Sequence, residues 1–321
     1  MLFFSISKTT ILMAMMKYVS PLFPFLVGWG LLMATPGFFD ISLLNGVAQI
    51  SLFILVACWP AMTTGRLSYV DIAWPWGLVL IGAITYTFSD GNALRVTVIS
   101  LVYAFIGVRM GLGALRMWHL GYFKTEFPRY QYQRLRWEKS GKTNTGLVLQ
   151  VEALLQGIAN AGFLALPAFM IGSNTDPDIS FFEIAGLVLW LLAFTIETIA
   201  DAQKLKFLKQ SKQSGVRNSV CNVGLWRYSR HPNYFAEWLV WSALVMASIP
   251  SWLGLYEQLY IVNWLLLGAG LLFIPRMMYT TLVYYTGAVP AEHYSVKKRP
   301  AYSQYQQETN RFFPGPPKSQ L

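Results

Sequence analysis

Charge is scarce in this chain. Charged residues make up 12% of its 321 residues, against roughly 25% in a soluble globular protein, and mean hydropathy is +0.41. No water-soluble domain of this length has interior enough for 55% apolar side chains. Soluble, disordered and fibrous classes are thereby excluded. Cysteine is nearly absent: Cys58 lies in an apolar run and Cys221 in a basic loop, so there is no disulfide framework and no paired-cysteine metal site. Three histidines far apart imply no metal. Acids are few, 15 against 25 bases. The phosphate-cradling, zinc-protease and nucleophile-elbow motifs are also missing, so a nucleotide would not be held by a Rossmann domain.

What the chain has is long apolar runs. They do not alternate in polarity, which excludes a β-barrel and leaves an all-α, polytopic membrane helical bundle. A spanning helix needs about 20 mostly apolar residues. Eight runs qualify: about 18–34, 43–63, 69–88, 94–115, 147–172, 181–200, 235–250 and 257–285, the seventh short and the eighth long. Lys17 interrupts the first residues and no small-residue cleavage site follows, so the first run reads as an uncleaved anchor.

The net charge of +10 would suggest nucleic acid on a soluble chain. Here the cations sit in loops. Segments 116–145, 201–233 and the tail from 286 hold 19 of the 25 basic residues, and Asp40, Asp90, Asp176, Asp178 and Glu257 lie near the alternate ends. The positive-inside rule then puts both termini and the three basic segments in the cytoplasm, with no nucleic-acid partner. Residues 1–60 read as anchor and first spans, 61–315 as the main membrane domain and 316–321 as a tail. The Phe312-Phe313-Pro314-Gly315-Pro316-Pro317 ending reads as a terminus breaking away from structure.

Five segments carry polar side chains that anchoring does not require. Gly224-Leu-Trp-Arg-Tyr-Ser-Arg-His-Pro-Asn-Tyr-Phe-Ala-Glu237 leads into the seventh run. Pro232 suits a first helical turn, whose free amides make an anion site, and Arg227, Arg230 and His231 precede it. Asn233 and Glu237, four apart, share one face; the plainer alternative is an interfacial anchor. At the end of the sixth run, Glu197 and Asp201 share a face with Lys204 beyond them, as acceptors for ribose hydroxyls or an amide, or as a salt-bridged helix end. Asp71, in Arg66-Leu-Ser-Tyr-Val-Asp71-Ile-Ala-Trp74, could polarise a carbonyl as a protonated acid or pair with Arg66 or Arg109. The fourth run carries Tyr103, Arg109 and Arg116, leading to Glu126. Arg109, deep in an apolar helix, requires a partner such as Asp71 or Glu152, and Arg276 makes the same demand. In the tail, Lys298, Arg299, Tyr302 and Tyr305 mix cations with flat rings, which suits a nucleotide or anionic lipid.

The segment GLWRYSRHPNYFAEW resembles the C-terminal signature of the steroid 5α-reductase superfamily, in particular its large bacterial branch. VDIAWPWG, VRMGLGALR with EFPRYQ, ETIADAQKLKF and KRPAYSQYQQETNRFFP follow the same order, so the resemblance covers about 60–315. Ala236 departs from it, where glycine is usual. The resemblance implies a seven-helix reductase core plus an N-terminal helix in a bacterial inner membrane. It also implies NADPH in a cytoplasm-facing pocket and reduction of a carbon–carbon double bond in a steroid-like or isoprenoid lipid. Carried over, the cofactor residues are Glu197, Asp201, Arg217, Asn233, Tyr234, Glu237, Arg299 and Tyr302, with Arg116 reaching the phosphates. Asp71 and Tyr103 become the pair that polarises an enone. A shorter Arg-His-Pro-x-Tyr pattern also occurs in isoprenylcysteine and phospholipid methyltransferases, so S-adenosylmethionine chemistry is the alternative, and a non-catalytic dinucleotide- or lipid-binding protein is a third.

Overall fold

In the computed structural model, residues 16–216 and 218–318 are described; Arg217, the segment 1–15 with Lys8, and 319–321 lie outside them. The described residues are helical, with no strand among them. Seven helical stretches among them are long and apolar enough to cross a bilayer: Met16–Met33, Phe39–Thr64, Val70–Phe88, Ala93–His119, Thr145–Gly172, Phe181–Gln213 and Ile261–Lys298. The chain is an integral, multi-pass, all-helical membrane protein. The remaining expected span forms a helix over Pro232–Gly254, which at 1.5 Å per residue is long enough to cross. Its tryptophans, prolines, Asn233 and Glu237 keep it less apolar than the other seven.

We number the helices α1 (Phe23–Met33), α2 (Phe39–Thr64), α3 (Val70–Phe88), α4 (Ala93–His119), α5 (Pro128–Lys139), α6 (Thr145–Ala161), α7 (Leu166–Gly172), α8 (Phe181–Gln213), α9 (Pro232–Gly254), α10 (Ile261–Thr280), α11 (Ala288–Lys298) and α12 (Tyr302–Glu308). The chain forms two compact units: Met1–Phe127, Arg134–Asp178 and Ser251–Leu271 in the first, and Pro128–Gln133, Ile179–Pro250 and Leu272–Leu321 in the second.

In the first unit α3 and α4 form a close antiparallel hairpin. Glycines set its register: a Cβ on Gly82 would meet Ser100 O at 2.7 Å and Tyr103 Cβ at 3.3 Å, and one on Gly111 would meet the Trp76 ring at 2.9 Å. Small residues allow such approach where lipid supplies no hydrophobic drive between helices. The fifth span is interrupted, with α6 ending at Ala161 and α7 starting at Leu166. Backbone carbonyls freed there need donors, since lipid offers none. Asn45 Nδ2 donates to Asn160 O (3.3 Å) and Ala161 O (3.2 Å), and Tyr103 Oη donates to Leu164 O at 2.6 Å. Gln49 Nε2 donates to Asn45 Oδ1 (3.1 Å) and Gly77 O (2.9 Å), and Asn160 Nδ2 donates to Gln49 Oε1 and Trp74 O, both at 3.2 Å. All three amide side chains are fully buried. This network ties α2, the Pro75 region of α3 and the end of α6 together.

In the second unit α8 and α9 pack antiparallel. A Cβ on Gly186 would meet Ala247 N at 2.6 Å and Ala243 O at 2.8 Å, while Asp201 and Asn233 meet at the other end. The tail does not break away as its composition suggests. Phe312 is buried and, with Phe313, packs edge-on against Phe235 and Trp238; Gly315 N donates to Tyr228 O at 3.0 Å. Burial of the Phe312 ring, with Phe313 packed beside it, outweighs the neighbouring prolines, because it removes a large apolar surface from water.

Candidate functional site

The signature loop is fastened to α8 at one end and to the tail at the other. Gly224 adopts φ +55°, and Gln203 lies 2.5 Å from where its Cβ would stand, so only glycine lets the loop close on the helix here. Leu225 N donates to Gln203 Oε1 (2.9 Å), Trp226 Nε1 donates to Ala200 O (2.9 Å), and the Lys204 ammonium sits 4.2 Å over the Trp226 ring. From the tail, Tyr305 Oη donates to Trp226 O, and Ser229 Oγ donates to Phe312 O at 2.9 Å.

Arg230 closes the loop. Its Nε and Nη2 donate to the two Glu292 oxygens at 2.7 and 3.1 Å, its Nη1 donates to Gln306 O (2.9 Å) and Thr309 O, and its amide donates to Asn310 O at 2.8 Å. His231 Nε2 bonds Glu292 Oε1 at 3.1 Å, and its ring stacks 5.3 Å from Tyr234. Burial pulls the His231 pKa down, opposed by its Glu292 contact, so the ring is neutral at pH 7 and donates its Nε2 proton. Arg230, His231 and Glu292 are each more than nine-tenths buried. Arg230 and His231 are thus committed to an internal ion pair, where the sequence suggests an open anion site.

Beside this clamp, α9 starts at Pro232, and its first turns carry the polar face. Asn233 Nδ2 donates to Asp201 Oδ1 at 3.1 Å. That bond fixes the amide's orientation, and Asn233 Oδ1 is buried with no hydrogen-bond partner. The antiparallel register puts Glu197, one turn before Asp201 on α8, level with Glu237, one turn after Asn233 on α9. Glu197 is buried and Glu237 half-buried. Ala236, in the place of the usual glycine, is fully buried against its surroundings. Nearby, Arg299 Nε donates to Ser219 O (3.1 Å) and its Nη1 to Ser295 Oγ (3.3 Å). Tyr302 is buried beside Tyr305, ring centroids 5.6 Å apart, and burial raises both phenol pKa values, so both stay protonated. Arg227 and Lys298 are exposed.

Asp71, Tyr103 and Arg116 belong to the first unit. Asp71 is half-buried in the first turn of α3 and Arg116 is exposed near the end of α4. Asp71 and Tyr103 are not brought together. Tyr103 abuts Gly82, eleven residues beyond Asp71 on α3, which is roughly 16 Å along a helix. Its hydroxyl holds the Leu164 carbonyl at the break in the fifth span, so Tyr103 supports that break. Tyr103→Phe leaves a buried carbonyl without its donor, and we expect about 1–3 kcal/mol lower stability with unchanged dinucleotide affinity. Thermal unfolding in detergent, alongside a dinucleotide titration, checks this; equal stability of the variant would contradict it.

The chain matches, over residues 58–309, a family model described as Protein of unknown function (DUF1295). The chain belongs to this family. All candidate residues from Asp71 to Tyr302 fall inside the family match, as do Arg230 and Glu292. An uncharacterized protein of Schizosaccharomyces pombe (strain 972 / ATCC 24843) is 27% identical over 143 residues, which are 40% of this chain and 38% of that protein. The match thus spans well under half of that curated relative. No solved structure matches.

Two features of this arrangement are missing from the sequence reading. Glu292 carries one sequence signal of its own: it stands alone among the acids between Glu257 and Glu308, in a segment with cations on both sides. Asn45 and Gln49, amides four apart inside an apolar run, and Asn160, just before Gly162, are the signal for the buried amide network.

Proposed function

We propose that the protein is an NADPH-dependent membrane reductase of a carbon–carbon double bond in a steroid-like or isoprenoid lipid. The observation that carries this reading is Asn233: oriented by Asp201, it presents a buried acceptor oxygen with nothing to accept from. Buried acceptors are nearly always satisfied, so a donor-bearing ligand fits there. A carboxamide N–H₂ or a ribose hydroxyl is such a donor, and NADPH offers both. Glu197, Asp201 and Glu237 supply further acceptors on the same facing helices. Lys204, Arg299 and the protonated Tyr302 supply the cations and donors that phosphates require. The family includes steroid 5α-reductase-like proteins, which supports the same reading. When bound, NADPH would supply the hydride; the helices around it exclude water, which protects that hydride from waste.

The methyltransferase alternative rests on Arg230-His231-Pro232 as a cofactor motif. It is weakened because both side chains are engaged with Glu292. Titrating NADPH and S-adenosylmethionine against one detergent preparation separates the two: saturable binding of NADPH alone is expected, and binding of S-adenosylmethionine alone would overturn the reading.

We place the protein in a bacterial inner membrane with both termini in the cytoplasm, on the positive-inside rule. A cysteine introduced beside Asp176 should then react with an impermeant reagent added outside, and one beside Lys142 should not. The reverse pattern would put the basic loops, and the proposed cofactor face, on the wrong side.

A further inference from the structure

Where α4 ends, the first unit has an open cavity of about 420 Å³, walled by Arg66, Tyr69, Trp118, His119, Phe123 and Lys124 among others. That volume lies within the roughly 300–1,000 Å³ typical of ligand clefts. No residue of these walls belongs to the dinucleotide assignment above. Two of them are cations and a third, His119, adds a ring nitrogen. The neighbouring acid, Glu126, is engaged elsewhere: it accepts from Leu67 N (2.8 Å), Ser68 N (3.0 Å) and Arg134 Nη2 (3.1 Å). Arg66 Nη1 donates to Lys124 O at 2.5 Å, while Arg66 Nε is buried with no hydrogen-bond partner. The Lys124 stem lies over Gly121, its Nζ 3.9 Å from where a Cβ there would stand.

The rim of the cavity has an apolar side: Trp118 and Leu120, both in its wall, are 54% and 60% exposed. They sit at the end of a span, where bilayer hydrocarbon gives way to headgroups. A cationic cleft with an apolar rim at that level matches one ligand chemistry: a phosphate ester carrying acyl chains. A soluble phosphate would use the cations and leave the rim without a role.

We propose that this cavity binds the phosphate headgroup of an anionic phospholipid, with Arg66 and Lys124 as the charged contacts and the rim against its acyl chains. The test is a native mass-spectrometric titration of the detergent-solubilised full chain with phosphatidylglycerol, phosphatidylcholine or inorganic phosphate. Phosphatidylglycerol should bind most tightly. Lys124→Gln, at an exposed position, should weaken that binding about fivefold, or about 1 kcal/mol. Lys139→Gln, exposed on α5 and outside the cavity, should leave it unchanged. Equal binding of phosphatidylcholine, an unaltered affinity in Lys124→Gln, or full competition by inorganic phosphate at matched concentration would each overturn the proposal.

Discussion

Arg230→Met should be the most destabilising substitution in the second unit, by about 3–5 kcal/mol. The guanidinium makes two bonds to Glu292 and two to tail carbonyls, three of them buried and the one to Gln306 O part-buried. Removing it leaves a carboxylate in a dry site with only His231, Gln306 and the more distant Arg311 against it. Glu292→Leu alone should be similarly damaging, because it strands the arginine. The double variant should recover much of the loss, since two apolar side chains leave no buried charge behind. Denaturant unfolding of the three variants in detergent measures this as a coupling energy. Simple additivity of the two single losses would show that the pair does not hold loop, α11 and tail together.

Glu237→Gln and Asn233→Leu should each lower NADPH affinity by about 1.5–3 kcal/mol, roughly 10- to 150-fold, while unfolding close to wild type. Glu237 lies on α9 beyond the first turn, and glutamine keeps its length, so the helix is not at risk. Asn233→Leu removes the acceptor at Oδ1 as well as the bond to Asp201. Asn233→Asp gives a sharper test. It keeps the oxygen but sets a carboxylate against Asp201, and like charges in contact oppose folding of that end and binding alike. Fluorescence titration with NADPH reads all three. Wild-type affinity in both Glu237→Gln and Asn233→Leu would remove this face of α9 from the site.

Much of the membrane architecture is legible in the sequence because length and apolarity decide it one segment at a time. Seven of the eight expected runs reappear among the described residues as long apolar helices. The Pro232 start of α9 was legible for the same local reason: proline tolerates a first helical turn. The spacing of Glu197 with Asp201, and of Asn233 with Glu237, was legible as shared faces. That those two faces oppose each other was not, because helix register is set by Gly186, 15 residues before Asp201, against Ala243 and Ala247, 10 and 14 residues after Asn233. Tyr103 illustrates the opposite failure. The family resemblance makes it half of an enone-polarising pair with Asp71, yet its hydroxyl donates to a carbonyl freed by a helix break that the apolar run 147–172 conceals. Arg230 and His231 were legible as polar and important, but their partner stands sixty residues on in the tail. Phe312 and Phe313 were hidden among prolines whose local signal is termination.

The most direct test of the dinucleotide site is native mass spectrometry of the full chain in mild detergent with NADPH added. The wild type should gain the mass of one dinucleotide, and Asn233→Leu, folded by thermal unfolding, should lose it. Absence of any NADPH-bound species for the wild type, or equal occupancy in Asn233→Leu, would contradict a cofactor face built on α8 and α9.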